Sequence, residues 1–96
     1  MKKEDLLKAL EKVGHPAINY SLVELGILRD IELYDKRVSV VFAFPFPDIP
    51  IADRLINSVA QYVKSLGLDF ICKVRVMTEK EKMRFFQLEK EAWKGL

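Results

Sequence analysis

Between Val38 and Leu66 the chain changes its hydrophobic period once and abruptly, and this constrains the fold more than any other feature. Val38, Val40, Phe42 and Phe44 alternate, the period of a strand with one buried face. Prolines at 45, 47 and 50 then end the strand, because proline cannot donate to a sheet ladder and restricts the residue before it. From Ile51 the spacing turns helical. Ile51, Leu55, Ile56, Val59, Ala60 and Val63 form one apolar stripe, with Asp53, Arg54, Asn57, Gln61 and Lys64 opposite. Strand, stiff loop and helix start make the place where a site is expected, since a helix N-terminus offers free amides and partial positive charge.

The flanking elements follow from local signals. Glu4 to Val13 reads as a helix with Leu6, Leu7, Leu10 and Val13 on one face, stopped by Gly14 and Pro16. His15 to Gly26 is a connector, in which Ser21 and Glu24 have the spacing of a capped turn ended by Gly26. A strand starts at Ile27, with Ile27, Ile31 and Leu33 facing one way, Asp30, Glu32 and Tyr34 the other, and Arg29 on the apolar side. Asp35-Lys36 turns it into the Val38 strand as a hairpin. Gly67 ends the central helix, and Phe70 to Met77 alternates as a third strand with Cys72 on its inward face. Thr78 and Glu81 have capping-box spacing and open a last helix. On it Phe85, Leu88, Ala92 and Leu96 share a face that Phe86 and Trp93 widen. The order helix, two strands, helix, strand, helix predicts an α+β domain in two layers, a three-stranded sheet with helices packed on one face. The 96 residues suffice for one core, so residues 1–96 are read as a single domain.

Charge and cysteine content exclude several function classes. With 16 basic and 14 acidic residues interleaved, there is no basic stripe of the kind that binds nucleic acid. One cysteine excludes an internal disulfide and suits the cytoplasm. No apolar run approaches a membrane span, and the charged start MKKEDLLKALEK is not that of a signal peptide.

The stretch ALEKVGHPAINYSLVELGILRDIEL, then VSVVFAF, the proline loop and IADRLINSV, resembles the PaaD-like or SufT-like domain of iron–sulfur cluster assembly. The same domain precedes Mrp-type P-loop ATPases. The resemblance covers nearly the whole chain, and LVELGILRDI with the loop-to-helix spacing carries most of it. It implies an aspartate-proline-glutamate motif, a threonine in the loop, and a cysteine-proline pair before the central helix. This sequence has His15-Pro16-Ala17, Pro45 and Ile49-Pro50 at those positions. The resemblance therefore supports the fold more strongly than a thiol-dependent function.

Each candidate residue has a plain reading beside the functional one. Cys72 as the single thiol falls short of the four ligands a cluster usually needs, and is read as packed. His15 is read as a surface-loop residue, or as a site neighbour if the fold brings it to Asp48. Asp48 is read as a cap for the central helix, because no nucleophile accompanies it as a general base. Phe44 and Phe46 serve equally as loop anchors or as an exposed recognition surface. The expected function is a non-catalytic accessory or adaptor protein linked to iron–sulfur cluster assembly, with no catalytic residue, metal or cofactor of its own. The alternative is a thiol-independent regulatory or docking module for a P-loop ATPase or a multicomponent oxygenase. Phe46, Asp48, Ile49 and Pro50 are expected to meet a protein partner. Phe85, Phe86 and Trp93 form an expected partner or homodimer face.

Overall fold

The computed structural model describes residues 2–93. Its elements are α1 (Lys3–Leu10), β1 (Leu28–Tyr34), β2 (Arg37–Phe44), α2 (Ala52–Ser65), β3 (Asp69–Val76) and α3 (Glu79–Ala92). The sheet runs β1-β2-β3, with β1 antiparallel and β3 parallel to β2. Helix α2 is the crossover between the parallel pair. α1 packs on β1, and α2 on β2 and β3. Leu6, Leu10, Leu55, Val59 and Val63 meet Val38, Val40, Phe42 and Phe44 in one buried cluster. The α+β order read from the sequence is the observed one. α3 is tied to β1 and β3 by Glu81, which pairs with Arg29 and Arg75, and to the connector by its Ala92 carbonyl, which accepts the Asn19 amide at 2.9 Å; Leu96 of its expected stripe lies outside the described residues.

Local details depart from simple periodicity where the backbone bends. α1 stops at Leu10 rather than Val13, because the amides of Lys12 and Val13 bond only three residues back, to Ala9 and Leu10. β1 carries a bulge between Arg29 and Glu32, with Asp30 left-handed at φ 47°. The extra residue reverses the alternation there. Arg29, expected on the apolar side, pairs with Val41 and so shares the outer face with Glu32 and Ser39, while Leu28 takes the buried place beside Phe42. The hairpin turn lacks glycine, and Asp35 supplies its left-handed residue at φ 52°. Aspartate tolerates that region better than most residues.

Gly26 closes the connector at φ 77°, and an added Cβ would stand 2.9 Å from Arg29 Nη1. Gly26→Ala is expected to lower stability by about 1–2 kcal/mol, the cost of an L-residue in that conformation. A urea midpoint unchanged from wild type would contradict this.

Candidate functional site

β2 hands the chain to the proline loop in a fixed position. Phe42 and Phe44 are buried and their rings stack at 6.1 Å, and the Met77 amide donates to the Phe44 carbonyl at 2.7 Å. Pro45 is buried after them, so the loop's first residue is anchored in the core. Phe46 then turns outward and is 50% exposed. Of the two readings of these aromatics, Phe44 is core and Phe46 is surface. Phe46 packs on Phe86 of α3 at 5.8 Å, and the Lys82 ammonium sits 5.5 Å from its ring centre. Ile49 is half-buried against the core, and its carbonyl accepts the Ala52 amide at 3.1 Å.

The loop has two sides. Outside it, an open groove of about 580 Å³ runs between Phe46, Pro47, Asp48 and Ile49, the start of α2 at Ala52, Asp53 and Ile56, and the end of β3 at Val74 and Val76. Val74 and Val76 are 57% and 43% exposed in it. Inside it, a mostly apolar cavity of about 460 Å³ lies between the loop and α3, bordered by His15, Ile49, Phe85, Phe86 and Trp93. Ile49 borders both spaces.

Several expected roles change in this geometry. Asp48 does not cap α2: the residue before the helix is Ile51, no side chain caps it, and Asp48 is exposed. What Asp48 contributes is its left-handed backbone at φ 57°, which turns the chain between Pro47 and Ile49. His15 is not a surface residue. It is 7% exposed, because the connector folds back through the Gly14–Ser21 bridge. Its amide donates to the Tyr20 carbonyl at 3.1 Å, and its Nδ1 accepts the Ala17 amide at 3.0 Å. It faces the inner cavity, whereas Asp48 faces the outer groove, so the fold does not join the two in one pocket. Phe85, expected on a partner face, is buried in its own domain, while Phe86 and Trp93 remain exposed.

Cys72 has the expected facing but not the expected burial. It pairs with Val40, whose side chain is fully buried, yet Cys72 is exposed. β3 is an edge strand, and on that face Phe70 is half-buried while Cys72, Val74 and Val76 are exposed. Partial desolvation still pushes the thiol pKa up.

Sequence periodicity also missed a charged hub. Glu81 receives both guanidinium nitrogens of Arg75 at 2.8 and 3.0 Å, and Arg29 at 3.2 Å. Glu81 also accepts the Thr78 amide at 2.8 Å, while Thr78 Oγ1 accepts the Glu81 amide at 3.2 Å. The capping box was legible from its spacing, and the two arginines were not. The Arg75 hydrogen bonds, followed by the Thr78 amide, hold the Glu81 carboxyl at about 2, well below the ordinary glutamate range.

This arrangement of sheet, loop and helix start has known relatives. Residues 3–76 match the family model described as iron-sulfur cluster assembly protein. The chain belongs to that family. The assembly domain also shares its fold with the crystal structure of a domain of unknown function, DUF59, from Bacillus anthracis. The TM-score is 0.63 and the sequence identity 17%, over 90% of each chain. An uncharacterized protein of Methanocaldococcus jannaschii is 44% identical over 34 residues, which is 35% of this chain and 36% of that protein. The PaaD-like resemblance read from the sequence is thus confirmed at the level of family. Within the assembly domain, the position where the resemblance implies a cysteine is occupied by Ile49, between groove and cavity. Among the described residues no three His, Cys, Asp or Glu side chains gather as a ligand set.

The geometry at Ile49 makes a test of that correspondence. A thiol there would stand three residues before α2, towards the positive end of the helix dipole, which favours the thiolate, whereas the thiol of Cys72 is disfavoured by desolvation. Ile49→Cys in a Cys72→Ser background is expected to alkylate at pH 7 several-fold faster than wild-type Cys72, up to roughly tenfold for each unit of pKa between them. A new thiol slower than Cys72 would show that the loop correspondence is wrong.

Proposed function

We propose that this domain is a non-catalytic accessory protein of iron–sulfur cluster assembly that works by binding a protein partner through its proline loop. The family supplies the link to cluster assembly. The observation that carries the rest is the surface around the loop. Where the resemblance implies a thiol stands the aliphatic Ile49, and beside it Phe46, Val74 and Val76 present apolar surface to solvent. Phe46 is held by Phe86 and Lys82, so little side-chain freedom remains to be lost on binding. Buried Pro45 and the neighbouring Pro47 and Pro50 stiffen the backbone that carries it. Aromatic anchors of this kind dominate protein interfaces. Clusters are cargo of the partner in this reading, and the domain contributes contacts.

The test is genetic and chemical together. Deleting the gene in its host should lower the activity of iron–sulfur enzymes and spare enzymes without clusters. Cys72→Ser should restore activity fully, because the thiol has no role. Phe46→Asp should fail to restore it while folding normally, because it places a charge on the docking surface. Failure of Cys72→Ser with success of Phe46→Asp would reverse the proposal and return the function to the thiol.

A further inference from the structure

The two edges of the sheet are unlike. β1 is interrupted by its bulge at Asp30, the device by which proteins blunt an edge. β3 pairs with β2 in unbroken register over all eight of its residues, Asp69 to Val76, and contains no proline. No further strand pairs with its outer edge among the described residues, where the Val76 carbonyl accepts Arg75 Nη1 at 3.3 Å. The direction of its backbone groups follows from two hydrogen bonds. The Asp69 amide donates to Lys36 O and the Met77 amide to Phe44 O, each at 2.7 Å. Odd-numbered residues of β3 therefore turn their amides and carbonyls toward β2. Phe70, Cys72, Val74 and Val76 turn theirs outward.

We infer that β3 pairs antiparallel with β3 of a second copy, in a register centred on Cys72, to make one six-stranded sheet. The charges of the strand select this register. A two-fold pairing that keeps each face of the sheet continuous can be centred on Ile71, Cys72, Lys73 or Val74. Centred on Lys73, that lysine meets its own copy. Centred on Val74, Lys73 meets Arg75 of the second copy twice. Both place like charges opposite each other, which is destabilising. Centred on Ile71, charges match but only residues 69 to 73 pair. Centred on Cys72, residues 69 to 75 pair, and Asp69 faces Arg75 of the second copy at both ends. Ile71 faces Lys73, and Phe70 faces Val74 across hydrogen-bonded positions. Asp69 is exposed, and the Arg75 side chain is 38% exposed despite its bonds to Glu81 and to the Val76 carbonyl, so an accessible part of each remains for this pairing. The dimer would cover Ile71 and Val74, which are large apolar side chains left exposed on one chain. The dimer takes Val74 from the groove beside the loop and leaves Phe46 and Val76 to the loop's partner, and it places self-association on β3 rather than on Phe86 and Trp93.

The register sets Cys72 against itself in a hydrogen-bonded pair, with Cα atoms about 5.5 Å apart, inside the range a disulfide spans. The experiment uses the full chain. Sedimentation equilibrium should show a concentration-dependent dimer. Diamide, which takes up the two electrons and two protons released by the two thiols, should trap it as a Cys72–Cys72 disulfide. Val74→Pro removes an amide that faces the edge and leaves the bonds to β2 in place, so it should keep the circular dichroism of wild type. Asp69→Lys turns both end pairs into like charges. Either variant should weaken the dimer by roughly tenfold or more and slow its trapping in step. A monomer at every concentration would overturn the inference, as would a dimer that diamide does not link or that survives both substitutions unchanged.

Discussion

Phe44→Ala is expected to remove about 3–5 kcal/mol of stability, the usual cost of deleting a buried phenylalanine ring. A domain of this size is stable by roughly 5–10 kcal/mol, so the substitution should consume a third or more of the total. Phe44 is nearly fully buried, stacks on Phe42, and lines both the groove and the cavity beside the loop. Its loss leaves a void where β2 enters Pro45, so loop and core should loosen together. Urea unfolding reads the first effect, and amide exchange at Phe46 and Asp48 the second. Phe46→Ala, at an exposed position, should cost about 1 kcal/mol or less. Equal losses for the two variants would mean that Phe46 belongs to the core and cannot be a docking residue.

Glu81→Gln should produce an effect that depends on pH. The wild-type carboxyl titrates at about 2 in the folded domain, held down first by Arg75, then by the Thr78 amide, with Arg29 adding to it. In the unfolded chain it titrates in the ordinary glutamate range, about 4.3. A pKa lowered on folding contributes stability that is complete above the unfolded value and disappears as pH falls through the folded one. The stability gap between wild type and Glu81→Gln should therefore be constant near neutrality and shrink from about pH 5 to about pH 2. The arginines are each 38% exposed, so solvent screening reduces the gap to about 1–2 kcal/mol at pH 7. Glutamine retains an oxygen for the Thr78 amide, which confines the change to the charge. A gap that stays constant down to pH 2 would assign the effect to packing.

The elements and their order were legible because each rests on local signals. The strand period of Val38 to Phe44, the helical stripe from Ile51, and two capping spacings, Ser21 with Glu24 and Thr78 with Glu81, all appear where the residues put them. What escaped depends on how far a face is covered or on backbone sign. The alternation of β3 put Cys72 on the right face, but alternation does not tell how much of that face the rest of the chain covers, and Cys72 is exposed. Left-handed aspartates at 30 and 48 carry no periodic signature, so the bulge and the uncapped start of α2 were invisible. His15 is buried by a bridge within its own connector, which has no regular spacing. The Arg29–Glu81 pair joins segments far apart in sequence, where no local rule applies. Of the loop residues, the sequence located the position, and the fold sorted Phe46 outward, Ile49 between two spaces, and His15 within.

The proposal that the loop docks a protein is tested most directly by a photoreactive amino acid placed at Phe46 in the host cell. Tyr34 is the control, an exposed aromatic beside the hairpin turn at the opposite end of the sheet. Irradiation should link position 46 to an iron–sulfur assembly protein or cluster-receiving enzyme, identified by mass spectrometry, and should give no such adduct from position 34. No adduct at 46, or the same adducts from both positions, would contradict the account.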